Sequence, residues 1–180
     1  MGRPSSGRKS SRRPPAGSRP RKSLDASAAK RVAYDLLSRK PWSRRELTAR
    51  LRRRGASPAV AAEVVVGLEA QGYVDDRAFA RQWADGRASR RHLGSLRLRD
   101  ELQRKGIPRD LAEAAVCQAF AERGEEERVL EAARRRLPVL RRQSGDRAPI
   151  KLRDYLLRRG YPADIVRRVL RRLLRVDTDE

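Results

Sequence analysis

The stretch Leu51–Gly55, which reads LRRRG, decides the fold because two closely related stretches follow it along the chain. Residues 102–106 read LQRKG and residues 156–160 read LLRRG. The three glycines stand at positions 55, 106 and 160, so the spacings are 51 and 54 residues. A period of this length is typical of proteins built from tandem repeats of a few helices.

An apolar pattern surrounds each of the three pentapeptides. Leucine stands eight and four residues before each glycine, and an apolar residue stands five and nine residues after it. The repeated positions are Leu47, Leu51, Val60 and Val64, then Leu98, Leu102, Leu111 and Ala115, then Leu152, Leu156, Ile165 and Val169. This spacing is helical, and alternation typical of strands is absent. The sequence predicts an all-α fold of three tandem three-helix repeats, stacked into an elongated, curved array.

Signals for helix starts and ends divide each repeat into three helices. Ser43 and Glu46 have the spacing of a capping box, and Gly55 suits the left-handed position after a helix. The predicted helices are approximately 27–39, 44–54, 58–72, 75–89, 95–105, 108–121, 125–142, 149–159 and 162–175.

The predicted organisation has five parts. A disordered basic tail covers 1–25, the repeats cover 26–73, 74–122 and 123–176, and an acidic end covers 177–180. Residues 1–24 contain eight basic residues, no acid and several prolines, a composition that cannot form a packed core. The tail is open to two interpretations, a basic arm that contacts phosphates or a solubilising extension.

The charge predicts a polyanionic partner. The chain has 45 lysines and arginines against 23 acids, a formal net charge of +22. This excess favours binding to nucleic acid, to an acidic protein surface or to an anionic membrane. Aromatic residues make up only 4% of the chain, so contacts with nucleic acid are expected at phosphates rather than by base stacking.

Few residues suggest a catalytic site, a metal site or a disulfide. The single cysteine, Cys117, excludes an internal disulfide and is expected in the core, and the single histidine, His92, is expected in a solvated loop. Asp75 and Asp76 are interpreted as a helix start rather than a catalytic pair. No phosphate-binding glycine motif, signal peptide or long apolar run is found, so we expect a cytoplasmic protein that is not an enzyme and has no metal, cofactor or small-molecule substrate.

The basic residues of the pentapeptides form the main candidate site. Arg53, Arg104 and Arg158 stand two residues before the glycines, and one residue before them stand Arg54, Lys105 and Arg159. Cations stabilise a helix C-terminus by about 0.3–1 kcal/mol each, which is one interpretation. The other is a repeated anion-binding row. The complete candidate set also contains Arg44, Arg45, Arg52, Arg97, Arg99 and Arg153.

Several longer stretches resemble one known family. The stretches ELTARLRRRG (46–55) and LEAQGYVDDRAFARQWADGR (68–87) resemble the first and second units of the RecX regulatory proteins. GSLRLRDELQRKGIP (94–108) is similar to the most specific motif of that family, and KLRDYLLRRGYPADIV (151–166) resembles its third unit. The resemblance covers about 28–175 and leaves the basic tail outside.

This resemblance implies a function as well as a fold. It implies a regulator of homologous recombination and DNA repair that binds the RecA filament on single-stranded DNA. RecA ATPase, strand exchange and co-protease activity in the SOS response would be inhibited, and DNA would also be bound directly through phosphates. We expect a monomer that does not bind membranes.

The alternative is a tandem helix-turn-helix transcription regulator, in which the helix after each repeated glycine would be the recognition helix. The last of these helices (165–175) is basic, but the equivalent helices of the first two repeats are not. A nucleic-acid chaperone is a weaker alternative because aromatics are few.

Overall fold

The computed structural model describes residues 23–176, and in that range it contains nine α-helices and one short 3₁₀ turn (Gly145–Arg147). The helices are α1 (Ala26–Arg39), α2 (Arg44–Arg53), α3 (Pro58–Ala70), α4 (Asp76–Arg91), α5 (Ser95–Arg104), α6 (Arg109–Ala119), α7 (Glu125–Ser144), α8 (Ala148–Arg158) and α9 (Ala163–Val176). The predicted all-α fold of three tandem three-helix repeats is confirmed. Most of the predicted tail (1–25) and the acidic end (177–180) lie outside the described residues.

Side-chain caps fix the starts of the helices in the first half of the chain. The side chains of Asp25, Ser43, Ser57 and Asp75 accept hydrogen bonds from amides in the first turns of α1 to α4. The predicted capping box at α2 forms on the serine side, with Ser43 Oγ 3.2 Å from the Glu46 amide nitrogen. The Glu46 carboxylate is instead 2.7 Å from Lys105 Nζ in the next repeat, so it links two repeats.

Each set of three helices encloses its own core. We call α1–α3 unit 1, α4–α6 unit 2 and α7–α9 unit 3. Leu47, Leu98 and Leu152 occupy equivalent positions in the three units, and each is fully buried within its own cluster. The three clusters share no residue, so each unit buries its apolar face by itself.

The cysteine prediction was wrong. Cys117 is exposed on α6, whereas the buried residues of that helix are Ala112, Ala115, Val116 and Ala119. These four positions follow a helical stripe, and Cys117 lies one residue beyond Val116, which rotates it about 100° toward solvent.

The units follow one another along the chain. The helices pack mainly against partners in their own unit, for example α4 on α6 and α7 on α8. Units 1 and 2 are joined by hydrogen bonds, as are units 2 and 3, but none links units 1 and 3 among the described residues. None of the helices in 23–176 is long and apolar enough to cross a bilayer.

Candidate cationic contact surface

The pentapeptides of units 2 and 3 form the connections between units. We call the contact of α2 with the C-terminal end of α5 the first joint, and that of α5 with the C-terminal end of α8 the second joint. In the first joint, Ser43 Oγ donates to the Lys105 carbonyl at 2.6 Å and the Arg45 guanidinium donates to the Arg104 carbonyl at 2.8 Å. The last carbonyls of a helix have no hydrogen-bond donors within the helix. Here the preceding unit provides the donors.

The second joint uses backbone donors at the equivalent place. The Gly94 amide donates to the Arg159 carbonyl at 2.8 Å, and the Leu96 amide donates to the Gly160 carbonyl at 3.1 Å. The Arg97 guanidinium completes the joint with a 3.1 Å bond to the Arg158 carbonyl. The joint therefore closes the C-terminal end of α8 in the way that the first joint closes α5.

The pentapeptide of unit 1 also receives a preceding segment. The Leu24 amide donates to the Gly55 carbonyl at 3.0 Å, and Leu24 forms an isolated parallel bridge with Ala56. The same end of all three middle helices is thus covered by chain that comes from the N-terminal side.

Two of the repeated glycines, Gly106 and Gly160, lie where neighbouring units approach closely. A Cβ atom on Gly160 would lie 2.3 Å from Arg97 Cβ and 2.5 Å from the Arg97 amide nitrogen. A Cβ atom on Gly106 would lie 2.4 Å from Arg45 Cδ. Both glycines also have positive φ, +83° and +82°, so they combine a helix ending with a contact surface.

In units 2 and 3, the cation directly before the glycine makes its contacts inside a joint. Lys105 lies in the first joint and Arg159 lies in the second. Lys105 Nζ is 2.7 Å from the Glu46 carboxylate and 4.0 Å from the Trp83 ring centre, and its side chain is only 17% exposed. Arg159 donates to the Arg91 carbonyl and lies over the Tyr155 ring at 5.0 Å. Lys105 and Arg159 therefore stabilise the array from inside.

The cation two residues before the glycine points to solvent in every unit. We call Arg53, Arg104 and Arg158 the cation row. All three are exposed. Arg104 has an exposed ion pair with Asp100 at 3.3 Å, and no described carboxylate lies within ion-pair distance of Arg53 or Arg158. An exposed pair such as Arg104–Asp100 contributes little to stability, so these guanidinium groups are accessible to an external anion.

A groove at the second joint collects several of the candidate residues. It has a volume of about 550 Å³ and is lined by Leu96, Arg97, Arg99, Asp100, Gln103, Arg104, Arg109, Glu113, Leu157, Arg158 and Gly160. Arg99 is neutralised by Glu113 at 2.7 Å. Five arginines against two acids leave the lining positive, so the groove can accept an anionic group.

The remaining candidates are not brought together in this groove. Arg44 pairs with Glu69 at 3.3 Å on unit 1, and Arg153 pairs with its neighbour Asp154 at 3.1 Å on unit 3. Arg52 and Arg54 are exposed on unit 1. Sequence reasoning missed Arg109, which lines the groove but stands outside the repeated pentapeptide.

His92 lies at the junction of units 2 and 3 and is half-buried rather than fully solvated as predicted. Its backbone has φ +49°, and Nε2 is 3.4 Å from Arg135 Nη1. Partial burial lowers the pKa of His92, and Arg135 and Arg159 lower it further, although Glu131 opposes them. These effects together favour the neutral form of His92.

The two adjacent aspartates begin a helix, as the sequence indicates. Asp75 Oδ1 accepts hydrogen bonds from the Arg77 and Ala78 amides at the start of α4. Asp76 accepts from the Arg44 amide at 2.8 Å, so it also caps α2 in unit 1. Burial raises the pKa of Asp76, and the Arg44 hydrogen bond partly offsets this effect. Both carboxylates thus have structural partners.

Comparison with known proteins assigns this arrangement of helices to a family. Models of the first, second and third three-helix domains of RecX match residues 29–66, 75–116 and 124–170. The chain belongs to the RecX family. A regulatory protein RecX from Thermobifida fusca is 34% identical over 164 residues, which covers 91% of this chain and 88% of the relative. A RecX from Streptomyces coelicolor is 32% identical over 174 residues, covering 97% and 91%.

Solved structures share the RecX fold. A crystal structure of RecX from Lactobacillus salivarius superposes with a TM-score of 0.72 at 20% identity, covering 83% of this chain and 96% of that one. A second RecX crystal structure also gives 0.72, at 19% identity and with 80% and 72% covered. The arrangement of three-helix units is therefore shared with distant RecX proteins.

Proposed function

We propose that this protein regulates homologous recombination and DNA repair by binding the RecA filament on single-stranded DNA. Binding would inhibit RecA ATPase, strand exchange and co-protease activity. Membership of a family of regulatory proteins supports this assignment, since the family resemblance covers all three units. The proposal gives the protein no catalytic residue and no cofactor, and it places a monomer in the cytoplasm with the filament.

The cation row is the observation that carries the proposal. One exposed arginine stands at the equivalent position of each successive unit, so positive charge repeats along the array. A filament of identical subunits repeats its acidic side chains and DNA phosphates along its length. A repeated row of guanidinium groups can therefore meet several equivalent anions at once, and each pairing would be a charge-assisted hydrogen bond.

Attachment alone would suffice for inhibition. A chain of three units that spans neighbouring RecA subunits of the filament would hold those subunits in one arrangement. It would also cover the filament surface between them. The groove at the second joint supplies a local site for an acidic side chain or a phosphate, because Arg97, Arg104 and Arg158 border it. The DNA contact would be salt-dependent, since phosphate binding releases counterions.

RecA ATPase on single-stranded DNA provides the test. We expect substoichiometric addition of this protein to lower the ATPase rate. Charge reversal of the cation row to glutamate should abolish or strongly reduce this inhibition. A matched control reverses three exposed arginines of α4, Arg77, Arg81 and Arg90, and should still inhibit. If the protein never inhibits, the proposed function is wrong; if both triple variants lose inhibition equally, the cation row is not the specific contact.

The transcription-regulator alternative has one observation in its favour, the arginine-rich α9. The equivalent helices α3 and α6 carry more acids than bases. Recognition of an operator needs side chains that read base edges, and two of the three candidate recognition helices are rich in alanine and valine and offer few of them. Selection from a pool of random duplexes separates the functions, because an operator-binding regulator would enrich one sequence.

A further inference from the structure

The outer surface of α9 carries four arginines. Arg167, Arg168, Arg171 and Arg172 are all exposed, and at about 100° per residue they fall within an arc of about 140°. The opposite face contains Val166, Val169 and Leu170, which are buried in the core of unit 3. We call these four arginines the α9 face.

Most of the charge on the α9 face is not neutralised. Arg168 pairs with Glu126 and with Asp164, both at 3.2 Å. No carboxylate of the described residues lies within ion-pair distance of Arg167, Arg171 or Arg172. Among the described residues, three guanidinium groups are therefore presented together without a carboxylate at ion-pair distance.

The repeat architecture does not require this charge. The equivalent helix of unit 1, α3, contains Glu63 and Glu69 and no basic residue, while α6 of unit 2 contains one arginine and two acids. The helix dipole favours cations only in the last turn, whereas Arg167 lies in the first half of α9. The positive surface is a property of unit 3 alone.

We propose that the α9 face binds the phosphate backbone of double-stranded DNA without sequence preference and without RecA. Arg167 and Arg171 are four residues apart, as are Arg168 and Arg172, so each pair is separated by about 6 Å along a rigid helix. Such fixed rows can contact successive phosphates of a stiff duplex. The helix contains no aromatic residue on which an unpaired base could stack, which favours duplex over single-stranded DNA.

This surface deepens the nucleic-acid part of the proposed function but is separate from the filament contact. The cation row lies at the ends of α2, α5 and α8, whereas the α9 face lies on the last helix of unit 3. A protein with both surfaces could attach to duplex DNA and still present its joints to a filament. Duplex binding in the absence of RecA tests the second surface by itself.

The test measures duplex affinity of the full chain as a function of salt. We expect Arg167→Gln, Arg171→Gln and Arg172→Gln together to reduce the slope of log affinity against log salt by about 2.7, since each lost phosphate contact removes about 0.9. The matched control, Arg77→Gln, Arg81→Gln and Arg90→Gln, has the same net charge and should leave the slope nearly unchanged. Circular dichroism should show equal helix content in both variants.

Four results would overturn the proposal. Equal loss of slope in the two variants would show that only net charge matters. A larger effect of the α9 variant on oligo(dT) than on the duplex would assign the surface to single strands, and a strong preference for one duplex sequence would assign it to base recognition. Tighter binding to vesicles of anionic phospholipid than to the duplex would assign it to membranes. Each result is independent of RecA inhibition, so failure here leaves the filament proposal intact.

Discussion

At Gly160 the absence of a side chain determines whether units 2 and 3 can meet. Its left-handed backbone is shared by Gly72, which has φ +76° and no atom within 4 Å of the position that a Cβ would take. The two glycines therefore separate the effect of backbone conformation from the effect of close approach.

We predict that Gly160→Ala destabilises the protein more than Gly72→Ala. The shared left-handed conformation costs about 1–2 kcal/mol for alanine. Only Gly160→Ala must also push the Arg97 backbone away, which adds about 1–3 kcal/mol as overpacking. Urea unfolding measures both variants. Equal losses of unfolding free energy would show that the second joint is not closely packed at Gly160.

His92 gives a prediction for pH. Its pKa is lowered in the folded protein from 6.5, so the unfolded chain binds a proton more readily. Stability contributed by neutral His92 is present above pH 6.5 and is lost as the pH falls toward the lower pKa of the folded state. In His92→Asn, where asparagine tolerates the positive φ, the melting temperature should fall less between neutral and mildly acid pH. An unchanged pH profile would contradict this assignment.

At the scale of the element, two adjacent cations at the end of α5 have different surroundings. Arg104 has a 77% exposed side chain, whereas Lys105 is held between Glu46 and the Trp83 ring. The sequence interpretation treated both as alternatives between helix stabilisation and binding. The structure separates the two positions: Lys105 is used inside the first joint, whereas the Arg104 side chain is left accessible to solvent.

We predict that Lys105→Met lowers the free energy of unfolding by about 1–3 kcal/mol, because the Glu46 carboxylate loses its charged partner. Arg104→Met should change it by less than about 0.5 kcal/mol, as is usual for exposed positions. Thermal or chemical denaturation of the two variants makes the comparison. A destabilised Arg104→Met variant would show that the cation row also has a structural role.

The part of this architecture that is local could be predicted from the sequence. The leucines and the glycine of each pentapeptide follow helical spacing within one repeat, and they lie where the pattern predicts. The joints could not be predicted, because Ser43 and Lys105, or Gly94 and Arg159, are more than sixty residues apart. The role of Lys105 depends on Glu46, whose spacing from Ser43 suggested a capping box instead.

At the scale of the whole molecule, three separate cores predict stability that is distributed unit by unit. In repeat proteins, stability is approximately the sum of unit and interface contributions. Equivalent buried leucines in the first and third units, Leu47 and Leu152, allow this to be tested without changing surface charge.

We predict that Leu47→Ala reduces hydrogen-exchange protection mainly in α1–α3, and that Leu152→Ala reduces it mainly in α7–α9. Each substitution leaves a cavity that costs about 2–5 kcal/mol in its own unit. Native-state exchange followed by mass spectrometry resolves the two ends of the chain. A uniform loss of protection over all nine helices in either variant would mean that the units unfold as one.

The two joints also determine how the molecule deforms. Each unit is a stiff body because its helices share a packed core, while neighbouring units are connected by a limited set of hydrogen bonds and ion pairs at the joints. Bending the array would stretch the contacts at the joints before it disturbed a core. We therefore expect deformation at two places, near Gly106 and near Gly160. In mechanical terms we expect three stiff segments connected at two points, so that a change of curvature would alter the joints before it altered a core.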